Sequence, residues 1–157
     1  MKLKTLVLPL FAVCALSFTA LAAEKKHDPS DHTHEKKVAG PNGGRVLTKV
    51  DPHAEFFVTA DRKVQITFLD KKGKAVAPAD QVVTVTAGDR TAPTKLSFTK
   101  SSNALVSNIA LPPGNDFPTV VQIGPKPGAK TVTEKFNVDL SKCGDCKLSE
   151  YACICGH

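Results

Sequence analysis

The chain has no tryptophan, and between Cys14 and Cys143 it has no cysteine. Those absences exclude an antibody-type domain, in which an internal disulfide packs on a buried tryptophan. Charge of one sign is scarce too. The 21 basic residues exceed the 15 acidic ones by six, and both signs are interspersed along the chain. So modest an excess does not describe a nucleic-acid-binding face. Helical periodicity is missing from residues 43–140, which excludes a helical bundle or a strand–helix alternation there. No nucleophile elbow, phosphate-cradling loop or recognisable acid/base pair occurs, and no internal repeat. The expectation is a non-enzymatic protein.

One long apolar run is present, and it lies at the start. Residues 1–23 carry Lys2 and Lys4, then an uncharged apolar stretch from Leu6 to Leu21, then Ala20-Leu21-Ala22. A basic start, an apolar centre and a small-x-small ending make a secretory signal, cleaved after Ala22 or Ala23. Export to a periplasmic or extracellular space follows, with no stable membrane insertion once the signal is gone. Cys14 leaves with it, as do two lysines, which lowers the basic excess to four. About 135 residues remain, enough for one domain with a core of its own.

Residues 24–40 contain almost nothing apolar, so they cannot repay the entropy of ordering and read as a flexible arm. His27, Asp28, Asp31, His32, His34 and Glu35 fall within nine residues of it. Such a tract collects zinc, copper(II) or nickel weakly, or is simply a solvated linker.

Residues 41–140 read as an all-β domain, an antiparallel sandwich or barrel of about seven strands. Alternation places Val64, Ile66 and Phe68 inward and Lys63, Gln65 and Thr67 outward. Residues 54–60 alternate in the same way, and Asp61-Arg62 between the two runs suits a tight hairpin. Further strands are expected at 81–87, 94–99, 104–111, 118–123 and 131–140, each rich in valine, threonine or phenylalanine. Glycine and proline clusters such as Pro112-Pro113-Gly114 separate them.

Within this body, Pro41-Asn42-Gly43-Gly44-Arg45-Val46 precedes the strand carrying His53 and Glu55. An alternating strand ending in Asp70-Lys71-Lys72-Gly73-Lys74 comes next. This arrangement resembles the small exported β-domain associated with adaptor (membrane-fusion) proteins of heavy-metal efflux systems. The resemblance spans residues 41–76 and implies a metal ion and an efflux-system component as partners. It departs from the family pattern at Asn42, where the family carries histidine, and asparagine is a poor transition-metal ligand. His53 and Glu55 match. Two residues apart on one strand face, they suit a shared ligand role, or they are a surface pair beside a sheet edge.

Residues 141–157 carry the densest chemistry. Cys143 and Cys146 form a Cys-x2-Cys pair, and Cys153, Cys155 and His157 follow as Cys-x-Cys-x-His. Thiolate and imidazole are the donors that zinc and copper(I) take, and Gly144-Asp145 supplies the turn. A structural ion would contribute folding energy of about 10 kcal/mol to a tail with no core of its own. Four cysteines in an exported chain equally describe two disulfides, worth a few kcal/mol, in a secreted sandwich with an interaction or structural role. A thiol–disulfide oxidoreductase is disfavoured, because its Cys-x2-Cys opens a helix in a strand–helix–strand setting that this tail lacks. The leading expectation is an exported protein of zinc or copper homeostasis that uses the four-cysteine tail.

Overall fold

The structure is a computed structural model and describes residues 37–155. The signal segment, Cys14, His27, His32, His34 and His157 lie outside the described residues. Among the described residues there are ten strands: β1 (Arg45–Leu47), β2 (His53–Val58), β3 (Val64–Leu69), β4 (Ala75–Val76), β5 (Val82–Ala87), β6 (Thr94–Leu96), β7 (Phe98–Ser101), β8 (Ala104–Ser107), β9 (Asp116–Gly124) and β10 (Val132–Asp139). All pair antiparallel. One sheet has the order β1-β2-β3-β8-β7 with β4 also beside β3, and the other has the order β10-β9-β5-β6.

Side chains of both sheets meet in one core. Phe56, Val64, Ile66 and Phe68 enter it from the first sheet, and Val85, Val121 and Val138 from the second. Of the sandwich or barrel expected from alternation, the two-sheet arrangement is the one observed, and the inward face read for β3 is fully buried.

The strand count differs from expectation for local reasons. β1 and β4 are too short to leave a periodic signature. The single strand expected over 94–99 is two strands in different sheets, β6 and β7, and the chain crosses between layers at Ser97. Asn108 holds that crossing from both sides. Its Oδ1 accepts from the Ser97 N–H at 3.0 Å, and its own N–H donates to the Ser97 carbonyl at 2.9 Å.

One loop type recurs three times. At 40–44, 59–63 and 70–74 the first residue's N–H donates to the carbonyl of the fifth, and the fourth residue's N–H returns to the carbonyl of the first. Gly43, Arg62 and Gly73 sit at the fourth position with positive φ. This is a three-residue hairpin loop with a residue in the left-handed region. The β2–β3 link is therefore residues 60–62, one longer than the two residues expected. Arg62 takes the left-handed position without glycine's freedom, and its guanidinium donates to the carbonyls of Pro112 and Gly114.

The first of these loops covers a buried acid. Glu55 is fully buried, and its carboxylate accepts from the Asn42 N–H at 2.8 Å, the Asn42 Nδ2 at 2.7 Å and the Gly44 N–H at 2.8 Å. A side chain at Gly40 would collide with that carboxylate, and one at Gly44 with the Phe56 carbonyl. The Pro41-Asn42-Gly43-Gly44 motif thus folds over Glu55, and Asp70-x-x-Gly73-Lys74 builds the β3–β4 loop.

Candidate metal centre

The tail is a small hairpin of its own, seated on the sandwich. Lys142 bridges to Ser149, the Cys143 N–H donates to the Leu148 carbonyl at 2.8 Å, and the Lys147 N–H returns to the Cys143 carbonyl at 3.2 Å. Lys147 closes the turn at φ +62°. A 3-10 turn, η1 (Glu150–Ala152), follows. It is anchored by the Glu150 N–H to the Ser141 carbonyl at 2.9 Å.

Two side chains dock this hairpin. The Tyr151 ring lies edge-on to Phe56 with centroids 5.8 Å apart, and its hydroxyl accepts from the Val58 N–H at 3.0 Å. Ala152 enters the same core. Burial raises the Tyr151 phenol above its ordinary value.

The hairpin and the turn bring both cysteine pairs to one point. The ligand atoms of Cys143, Cys146, Cys153 and Cys155 all lie within 4.8 Å of one another. Cys143 and Cys153 sulfurs are 3.4 Å apart, and those of Cys146 and Cys153 are 3.8 Å apart. A disulfide requires about 2.05 Å, and both of these separations are well beyond it. Four sulfurs about 2.3 Å from a central ion at tetrahedral angles would stand about 3.8 Å apart. The donor set and its spacing therefore fit a tetrathiolate ion site.

Backbone donors surround the sulfurs. The Cys155 N–H donates to the Cys153 sulfur at 3.3 Å. Leu148 and Ile154 N–H groups face the Cys146 sulfur, and that of Leu148 is the main reason its thiol is lowered to about 6. The neighbouring Cys146 sulfur, followed by burial, pushes Cys155 up to about 12, and burial raises Cys153. One thiolate forms readily, and its charge opposes the next. A cation removes that opposition. Cys143 is buried and the other three are half-buried, so the cluster is shielded yet within reach of solvent.

His53 and Glu55 occupy different settings. Among the described residues they belong to no group of three or more potential ligands. Glu55 is committed to Asn42 and Gly44. His53 is exposed on a groove of about 700 Å³, one wall of which is formed by Tyr151, Ala152, Cys153 and Ile154. Spacing alone identifies the four cysteines. The aid of Lys147 and the Leu148 N–H carries no sequence signal, because left-handed positions usually announce themselves as glycine. Comparison of the chain with protein-family models, curated proteins and solved structures finds no match.

Proposed function

We propose that this is an exported metal-binding protein of zinc or copper homeostasis whose working site is the four-cysteine tail. The approach of four sulfurs to within 4.8 Å of one another carries the reading. Thiolates select zinc and copper(I) over hard ions, and the N–H donors around Cys146 and Cys153 stabilise the ionised sulfurs such an ion needs. The sandwich is the scaffold, since it supplies the seat for Tyr151 and no competing ligand cluster among its described residues. Residues 24–40, with His27, His32 and His34, act as a low-affinity collector, and His157 substitutes for or supports a thiolate. The role is binding rather than catalysis, in the periplasm or outside the cell, as an accessory to heavy-metal efflux. The signal-like start and the resemblance over residues 41–76 support that setting.

The test is anaerobic titration of the reduced mature protein with zinc and, separately, copper(I), read by native mass spectrometry and by thiol alkylation. One ion per chain, bound at micromolar concentration or below and protecting all four thiols, is the expected result. No bound metal, with two disulfides in protein released gently from cells, would leave a stapled tail instead.

A further inference from the structure

Resting on the reading of the tail as a metal centre, we propose that its resident ion is a tetrahedral divalent ion of the zinc class. That ion is the latch that seats Tyr151 in the sandwich. The four sulfurs come as two pairs on either side of one turn. Cys143 and Cys146 belong to the hairpin, Cys153 and Cys155 follow η1, and Tyr151 is the middle residue of that turn. An ion held by both pairs closes residues 146–153 into a loop whose centre points at Phe56.

The choice of ion follows from the number of sulfurs that converge. Tetrahedral tetrathiolate sites suit zinc, or iron in its sulfur-ligated forms. Copper(I) is satisfied by fewer sulfurs and gains little from a fourth. All four lie within 4.8 Å of one another here; Cys146 and Cys153 stand at the tetrahedral spacing, and Cys143 and Cys153 are closer, at 3.4 Å. Backbone N–H groups direct the sulfurs from outside the cluster, as the neighbours of metal ligands characteristically do.

The latch follows from what the tail lacks. Between Ser141 and Cys155 only Cys143, Tyr151 and Ala152 are buried, so the segment has too little apolar surface to hold itself. Ordering it takes the ion and the Tyr151 seat together: the edge-on contact with Phe56 and the bond from the Val58 N–H. Two events that order the same loop are coupled, and the coupling is reciprocal. Ion binding favours the seated tyrosine, and a seated tyrosine tightens ion binding. The groove wall formed by Tyr151 and Ile154 then exists in full only in the loaded protein.

Tyr151 is the chain's one tyrosine and there is no tryptophan, so its fluorescence reports this seat without mixing. Reduced, metal-free mature protein would be titrated anaerobically with Co2+ as a spectroscopic probe, then with Zn2+. Far-UV circular dichroism and acrylamide quenching would be followed throughout. Expected are tetrahedral d–d bands with thiolate charge transfer at one Co2+ per chain, displaced by Zn2+. Tyrosine should become protected from quencher in step with loading, while the sheet signal stays constant. Tyr151→Ala should weaken Zn2+ binding at least tenfold with every cysteine retained. Tyr151→Phe, which keeps the ring and loses the Val58 bond, should fall between it and the parent. Absence of any metal binding would overturn the metal-centre reading and the latch together. Tetrathiolate binding with an unresponsive tyrosine, or with loss of the whole sheet signal on metal removal, would leave the centre and overturn the latch. Cobalt spectra of fewer than four sulfurs would overturn the zinc-class assignment.

Discussion

Glu55 shows how a residue's surroundings decide its chemistry. Its carboxylate satisfies three donors of the 40–44 loop, so Glu55→Ala should leave them without a partner and cost about 3 kcal/mol, seen as a lower denaturant midpoint. His53 is exposed, and His53→Ala should change stability by less than about 0.5 kcal/mol. Neither substitution should alter the number of ions bound per chain. Alternation places His53 and Glu55 on one strand face, which was readable; that the Pro41–Gly44 loop folds over only the second was not, because it is a tertiary contact. Asp89 gives the pH dependence. The Thr91 hydroxyl, then the Thr91 N–H, hold its carboxyl below the ordinary 3.8. A folded value below the unfolded one means its contribution is present above about pH 4 and is lost as pH falls through the lowered value. A carboxyl-carbon NMR titration should find its midpoint below 3.8, and Thr91→Ala should return it upward.

The tail hairpin turns on Lys147, a non-glycine residue at φ +62°. Lys147→Gly removes the left-handed penalty of about 1 kcal/mol and should raise both the stability of the turn and zinc affinity by up to severalfold. Lys147→Val should do the reverse, and calorimetric zinc titration of the reduced proteins would separate them. Thiols must lose their protons to bind an ion, so affinity should climb with pH and proton release should accompany loading. Four cysteines in close spacing announced this element; its docking did not show, since one tyrosine and one alanine make no periodic pattern. The strands divide in the same way. β2, β3, β5 and β9 alternate over six residues or more and were legible, whereas β1 and β4 are held by neighbours rather than by their own sequence. The break between β6 and β7 depends on Asn108, eleven residues from Ser97, and no local signal records it.

In the whole molecule Phe56 is the meeting point. Fully buried, it packs edge-on against Phe136 of the opposite sheet at 5.2 Å and against Tyr151 of the tail at 5.8 Å. Phe56→Ala should therefore cost about 3 to 5 kcal/mol of stability and loosen both contacts at once, visible as a lower melting temperature and a tyrosine open to quencher. The Tyr151 seat also sets an order of assembly. β2 and β3 find each other across a three-residue loop, but the Val58–Tyr151 bond joins residues 93 apart in sequence. Closing so long a loop has a cost that nothing local repays, so the contact forms once the strands beneath it exist. The tail is then the last part to arrive and the first to leave. On that order its thiols stay open until Tyr151 is seated, so an alkylating agent added during refolding should modify them faster than it does in the folded protein.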